Sequence, residues 1–180
     1  MAKSPSPIYG LMAEFDSPEA LVAAARSAFA AGFRKMDGYS PFPVDGLAEA
    51  LGFHRTWVPF IVLIGGIIGC LGGFFLQYWA SVIDYPVNVG GRPLNSWPAF
   101  IPVTFELTIL IGALSAFLGV LALNGLPMPY HPGFNVDRFE LASRNRFFLC
   151  IESVDPNFHP DTTRKFLEGA GSQGVYEVER

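Results

Sequence analysis

Two stretches decide the fold: residues 57–83, WVPFIVLIGGIIGCLGGFFLQYWASVI, and residues 98–123, PAFIPVTFELTILIGALSAFLGVLAL. The first carries no charge, and Gln77 is its most polar side chain; the second carries one charge, Glu106. Each exceeds the roughly 20 residues that a helix needs to cross about 30 Å of hydrocarbon. In lipid such a run has to be helical, because every backbone N–H and C=O must find its partner within the segment. Trp57 stands at one boundary and Tyr78, Trp79, Tyr85 and Trp97 stand at the other, where amphipathic rings settle at a membrane–water interface. The pattern predicts a pair of transmembrane helices.

The composition agrees. Of 180 residues, 51% are hydrophobic and only 16% are charged, against a usual charged share of about 25%. A net charge of −4 with no basic cluster argues against a nucleic-acid partner. Cys70 lies in a span and Cys150 in a soluble, strand-like run, so both are expected to be buried apolar residues rather than a disulfide.

The link between the spans, residues 84–97, is rich in turn formers: Pro86, Asn88, Gly90, Gly91, Pro93 and Asn95. Of the 12 Lys and Arg residues it holds only Arg92, and Arg55 lies close to the other end of the first span. Cytoplasmic loops carry the excess of Lys and Arg. No secretory signal is expected, since the first long apolar run begins only near Trp57. The expectation is a multi-pass protein of the bacterial inner membrane, with both termini cytoplasmic and a periplasmic hairpin at 84–97.

Small residues recur along both spans at helical spacing. Gly65, Gly69 and Gly73 line one face of the first; Gly112 pairs with Ala116, and Ser115 with Gly119, in the second. Such spacing lets helix backbones approach closely in lipid. The two spans packing on each other would account for it, and so would a groove receiving a helix of another subunit. Glu106 is the exception in this apolar setting. A charged acid facing lipid costs several kcal/mol, so it is expected to be neutral, turned toward protein, or near the interface, with Thr104 and Thr108 as candidate hydroxyl partners. It is a candidate proton or polar site, and Glu106→Gln is expected to leave any assembly intact.

The soluble remainder reads as one split domain. Residues 8–15 alternate as a strand with Tyr9, Leu11, Ala13 and Phe15 on one face. Ser17-Pro18-Glu19 is a helix start, Leu21, Ala25, Ala28 and Phe29 mark its stripe, and Gly32 ends it. Residues 33–39 suit a second strand and 44–52 a short helix. Past the second span, the stretch with Pro127, Pro129 and Pro132 is expected to be extended. Strand 147–153, helix 161–168 and strand 175–178 complete a second β-α-β. Residues 1–56 and 124–180 together predict a ferredoxin-like α+β cytoplasmic domain assembled from both termini, interrupted by a membrane hairpin of spans 57–83 and 98–123.

Cofactor chemistry leaves no signature. There is no C-x-x-C-H, no cysteine cluster, no phosphate loop and no nucleophile elbow. His54, His131 and His159 lie outside both spans, which argues against a membrane haem held by paired histidines. They also lack zinc-ligand spacing. Each is expected to be a surface or capping residue.

The opening Ile8-Tyr-Gly-Leu-Met-Ala-Glu-Phe-Asp16, the run Met36-Asp-Gly-Tyr-Ser-Pro-Phe-Pro-Val-Asp-Gly-Leu47 and Pro127-Met-Pro-Tyr-His-Pro132 resemble the ActD subunit of bacterial alternative complex III. The resemblance covers nearly the whole chain. It implies an accessory subunit of a quinol-oxidising respiratory or photosynthetic complex, with two spans, a cytoplasmic domain and no catalytic residues or cofactor of its own. Haems and iron–sulfur clusters are then expected in partners: a multihaem cytochrome, an iron–sulfur subunit and polytopic quinol-binding subunits. Two other readings stay open, an independent membrane sensor or regulatory module, and a contribution to proton translocation through Glu106.

Overall fold

The computed structural model describes residues 8–53 and 55–180. The chain divides into two compact units, one from Met1–Arg55 with Pro129–Arg180 and one from Thr56–Met128.

In the first unit, β1 (Ile8–Phe15) leads into α1 (Pro18–Ala30), β2 (Met36–Tyr39) and the short α2 (Leu47–Ala50). Ser17 caps α1 by accepting from the Ala20 N–H at 3.2 Å, and Pro18, which lacks an N–H, begins the first turn. The later half supplies β3 (Phe147–Glu152), α5 (Pro160–Gly169) and β4 (Gly174–Glu179). The four strands lie in the order β2-β3-β1-β4, with all neighbouring pairs antiparallel.

Both faces of the sheet are covered, so the central strands are buried almost throughout. Leu11, Ala13 and Phe15 join Phe147, Leu149 and Ile151 under α1, whose buried side is Leu21, Ala24, Ala25 and Ala28. The other face presents Met12, Phe148, Cys150 and Val178. It is covered by Val136, Phe139 and Ala142, from or beside two 3-10 segments at Pro132–Asn135 and Asp137–Ser143. The proline-rich stretch was expected to be extended, yet Pro132 opens the first of these turns. A fixed φ suits the first turn of a helix as well as an extended strand.

Tyr9 also departs from expectation. The pairing of β1 with β4 shifts register between Ile8 and Gly10, a bulge that adds one residue. The face therefore flips: Ile8 packs with Leu11 and Phe15, while Tyr9 packs with Met12 and Cys150.

In the second unit, α3 (Val58–Tyr78) continues into a π-helical turn at Trp79–Asp84, and α4 is Trp97–Leu123. Each forms a 27-residue helical stretch, and only 17% and 11% of their most apolar parts are buried. A soluble protein's core helix would be mostly buried, so these are helices whose outer surfaces suit lipid or other protein. The link turns at Gly90 and Gly91, both at positive φ (62° and 75°), where glycine meets no steric cost.

Candidate functional site

The helix pair is built on the first glycine series. Gly65, Gly69 and Gly73 are the buried residues of α3. A Cβ at Gly69 would run into the Leu107 carbonyl and stand 2.9 Å from Thr108 Cα; one at Gly65 would strike the Ser115 hydroxyl; one at Gly73 would lie 3.1 Å from Thr104 Cα. The backbone of α4 occupies that space. Gly119 answers from α4, where a Cβ would stand 3.1 Å from Ile61 Cγ2. This ridge thus meets the chain's own second helix.

Gln77 adds a polar latch. Its amide donates to the Phe100 carbonyl of α4 at 2.9 Å and to the Gly73 carbonyl at 3.2 Å, with Thr104 Oγ1 at 3.4 Å. Such a bond in hydrocarbon is worth on the order of 0.6–2 kcal/mol. The signal for it was the most polar side chain of an uncharged stretch.

The remaining small residues form something different. Gly66 and Cys70 of α3, with Gly112, Ala113 and Ala116 of α4, line an open apolar groove of about 620 Å³. Cys70, expected to be buried, is exposed within the unit, whereas Cys150 is buried; both are free. Gly112 is buried against Gly66, whose Cα lies 4.0 Å from a Cβ built there.

Glu106 does not meet the threonines beside it. Thr108 donates its hydroxyl to the Thr104 carbonyl one turn back at 2.7 Å, and the Thr104 hydroxyl faces Gln77. The Glu106 side chain is exposed and has no hydrogen bond or ion pair among the described residues.

The soluble unit has its own polar anchors. Glu14, 1% exposed on β1, accepts two bonds of 2.6 Å from Arg138 and one of 3.1 Å from Tyr176, with Arg146 at 3.4 Å. Arg146 also pairs with Asp16. The Arg138 hydrogen bonds hold the Glu14 carboxyl below its ordinary range, against the opposing effect of burial. We expect Glu14→Gln to cost about 1–2 kcal/mol at pH 7 through lost charge-assisted bonds. A depressed folded-state value means that the contribution is present above the ordinary carboxylate range and disappears as pH falls through the folded value. Thermal melts of both proteins in detergent should therefore differ at pH 7 and converge in acid.

Farther along the same face, burial and the neighbouring Asp37 push Glu152 upward, while the Tyr9 hydroxyl donates to it at 3.2 Å. His131 caps the 3-10 turn at Pro132, accepting from the Gly133 N–H at 3.0 Å, and packs edge-on against Tyr9 and Tyr39. His159 takes the N-cap position of α5 without a side-chain bond to it. His54 lies outside the described residues. Among the described residues, no three of His, Cys, Asp or Glu are grouped to hold a metal.

An undecaprenyl-diphosphatase of Caulobacter sp. (strain K31) is 36% identical over 80 residues, 43% of this chain and 26% of that protein. The chain therefore spans about a quarter of that relative's length. The family profile described as "Alternative complex III, ActD subunit" matches residues 9–177, through both soluble halves and both apolar helices. This chain belongs to the ActD subunit family of alternative complex III.

Proposed function

We propose that this chain is a non-catalytic, cofactor-free accessory subunit, seated by its two spans against polytopic quinol-binding subunits in the bacterial inner membrane. Quinol oxidation and electron transfer then belong to partners, a multihaem cytochrome and an iron–sulfur subunit among them. The observation that carries the reading is the family match over residues 9–177, which takes in two helices whose outer faces are left for lipid or other protein. The strand order β2-β3-β1-β4 between two β-α-β halves supports a ferredoxin-like domain assembled from both termini. The thinness of positive charge in the link, Arg92 alone, supports placing that domain in the cytoplasm and the hairpin in the periplasm.

Gentle detergent extraction followed by native electrophoresis and mass spectrometry tests this. Co-migration with haem-containing proteins is the expected result. A lone monomer or homodimer would favour an independent sensor or regulatory module instead. Proton transfer through Glu106 is tested separately: an unchanged proton-to-electron ratio in Glu106→Gln removes it.

A further inference from the structure

We infer that Glu106 and the groove beside it form the docking site for a transmembrane helix of a different subunit, one that presents a basic side chain at the depth of Glu106. The inference rests on the subunit reading above and names the partner's chemistry.

Depth comes first. Glu106 lies nine residues into α4 from Trp97, about 14 Å along the axis at 1.5 Å per residue. The same turn of α4, at Leu107 and Thr108, packs on Gly69, near the middle of the Val58–Asp84 stretch. Long Lys and Arg stems can snorkel from such depth to the interface, but a glutamate is too short. A lipid headgroup therefore cannot reach it. An acid left in lipid there would be costly, and ionisable residues within spans ordinarily face protein and pair with one another.

Position comes second. Glu106, Ile109, Ala113 and Ala116 follow one another at intervals of three and four residues, so they share one stripe of α4. Three of these four line the groove of about 620 Å³, whose α3 wall is lowered by Gly66. A helix laid along this stripe would close on small residues while its own side chain reaches Glu106.

The identity of the partner follows from charge. Residues 57–83 and 98–123 contain no Lys, Arg or His, so a second copy of this chain has no cation to offer at this depth. A symmetric pair would set Glu106 against Glu106, with no cation from either copy. Only another chain can supply the complement.

The test uses the full-length tagged chain, replacing the native copy in its own cell and extracted in mild detergent. Glu106→Leu makes α4 more lipid-compatible, so it should enter the membrane at least as well as the wild type. Even so, because leucine removes the acceptor oxygen that Glu106→Gln would keep, the haem protein and polytopic subunit recovered per chain should fall about tenfold, the effect of about 1.4 kcal/mol. Ala113→Phe, which fills the groove, should produce the same loss. A photoreactive benzoylphenylalanine at Ile109 should cross-link to a helix of another subunit bearing Arg, Lys or His. Equal recovery from wild type and both variants would overturn the proposal while leaving the subunit reading intact, as would a cross-link to a second copy or to lipid alone. Failure of the wild type to recover any haem protein would instead remove the subunit reading itself, and this site with it.

Discussion

Replacing Gly69 with leucine is expected to separate α3 from α4. The new Cβ would run into the Leu107 carbonyl and stand 2.9 Å from Thr108 Cα, and neither is the yielding end of a flexible side chain. Backbone must therefore move, and overpacking of this kind costs about 1–3 kcal/mol. Separation also weakens the Gln77 latch, because the Phe100 carbonyl that it reaches at 2.9 Å is on the helix that would move. We expect the helical circular-dichroism signal of the full chain in detergent to melt on the order of 10 °C lower. Gly72→Leu is the matched control, since nothing lies within 4 Å of a Cβ built at Gly72. It should melt at or above the wild-type temperature, as leucine is the better helix former. Equal melting of the two variants would mean that the glycine ridge does not hold the pair.

Asp155→Ala is expected to have the largest effect on the soluble unit. Asp155 is 1% exposed and accepts from three backbone N–H groups: Arg34 at 2.6 Å, Lys35 at 2.8 Å and Asn157 at 2.8 Å. It thus ties the turn after β3 to the approach to β2. Alanine leaves these donors without their acceptor, at about 1–3 kcal/mol for each one that stays buried. A net loss of about 3 kcal/mol is expected, seen as a fall on the order of 10 °C or more in the melting of the soluble unit. Burial alone would raise the Asp155 carboxyl, but the N–H groups of Arg34, Lys35 and Asn157 outweigh it and hold it below the ordinary value of 3.8. Its contribution is therefore complete above that value and is lost as pH falls through the folded one. The gap between wild type and variant should be wide at neutral pH and close below about pH 4.

The elements that could be read in the sequence are those whose signals are local. Ser17-Pro18-Glu19 carries a cap, a proline and an acid in consecutive positions, and α1 begins there. The two long apolar helices follow from apolar length alone, and they run over Val58–Asp84 and Trp97–Leu123. Residues 132–143 were not legible, because 3-10 turns have no long period to detect and their burial depends on a sheet face formed by distant strands. Tyr9 was placed on the wrong face because strict alternation assumes an unbroken ladder, and the bulge depends on the partner β4.

The docking features divide in the same way. Small residues in register were visible as a string, but which of them meet α4 is decided by helix rotation. Gly65, Gly69 and Gly73 do so, while Gly66 opens on a groove. Glu106 stood out as the single charge in its span, and its want of a partner could be seen only once Thr104 and Thr108 were found engaged elsewhere. The burial of Glu14 rests on Arg138 and Arg146, more than 120 residues away in the chain, and no local pattern announces that pairing.

Alkaline carbonate extraction of lysed cells bears most directly on the whole account. If two helices cross the bilayer, the full-length chain stays in the membrane pellet through the carbonate wash and leaves it only when detergent is added. Release into the supernatant by carbonate alone would mean that α3 and α4 do not span the lipid.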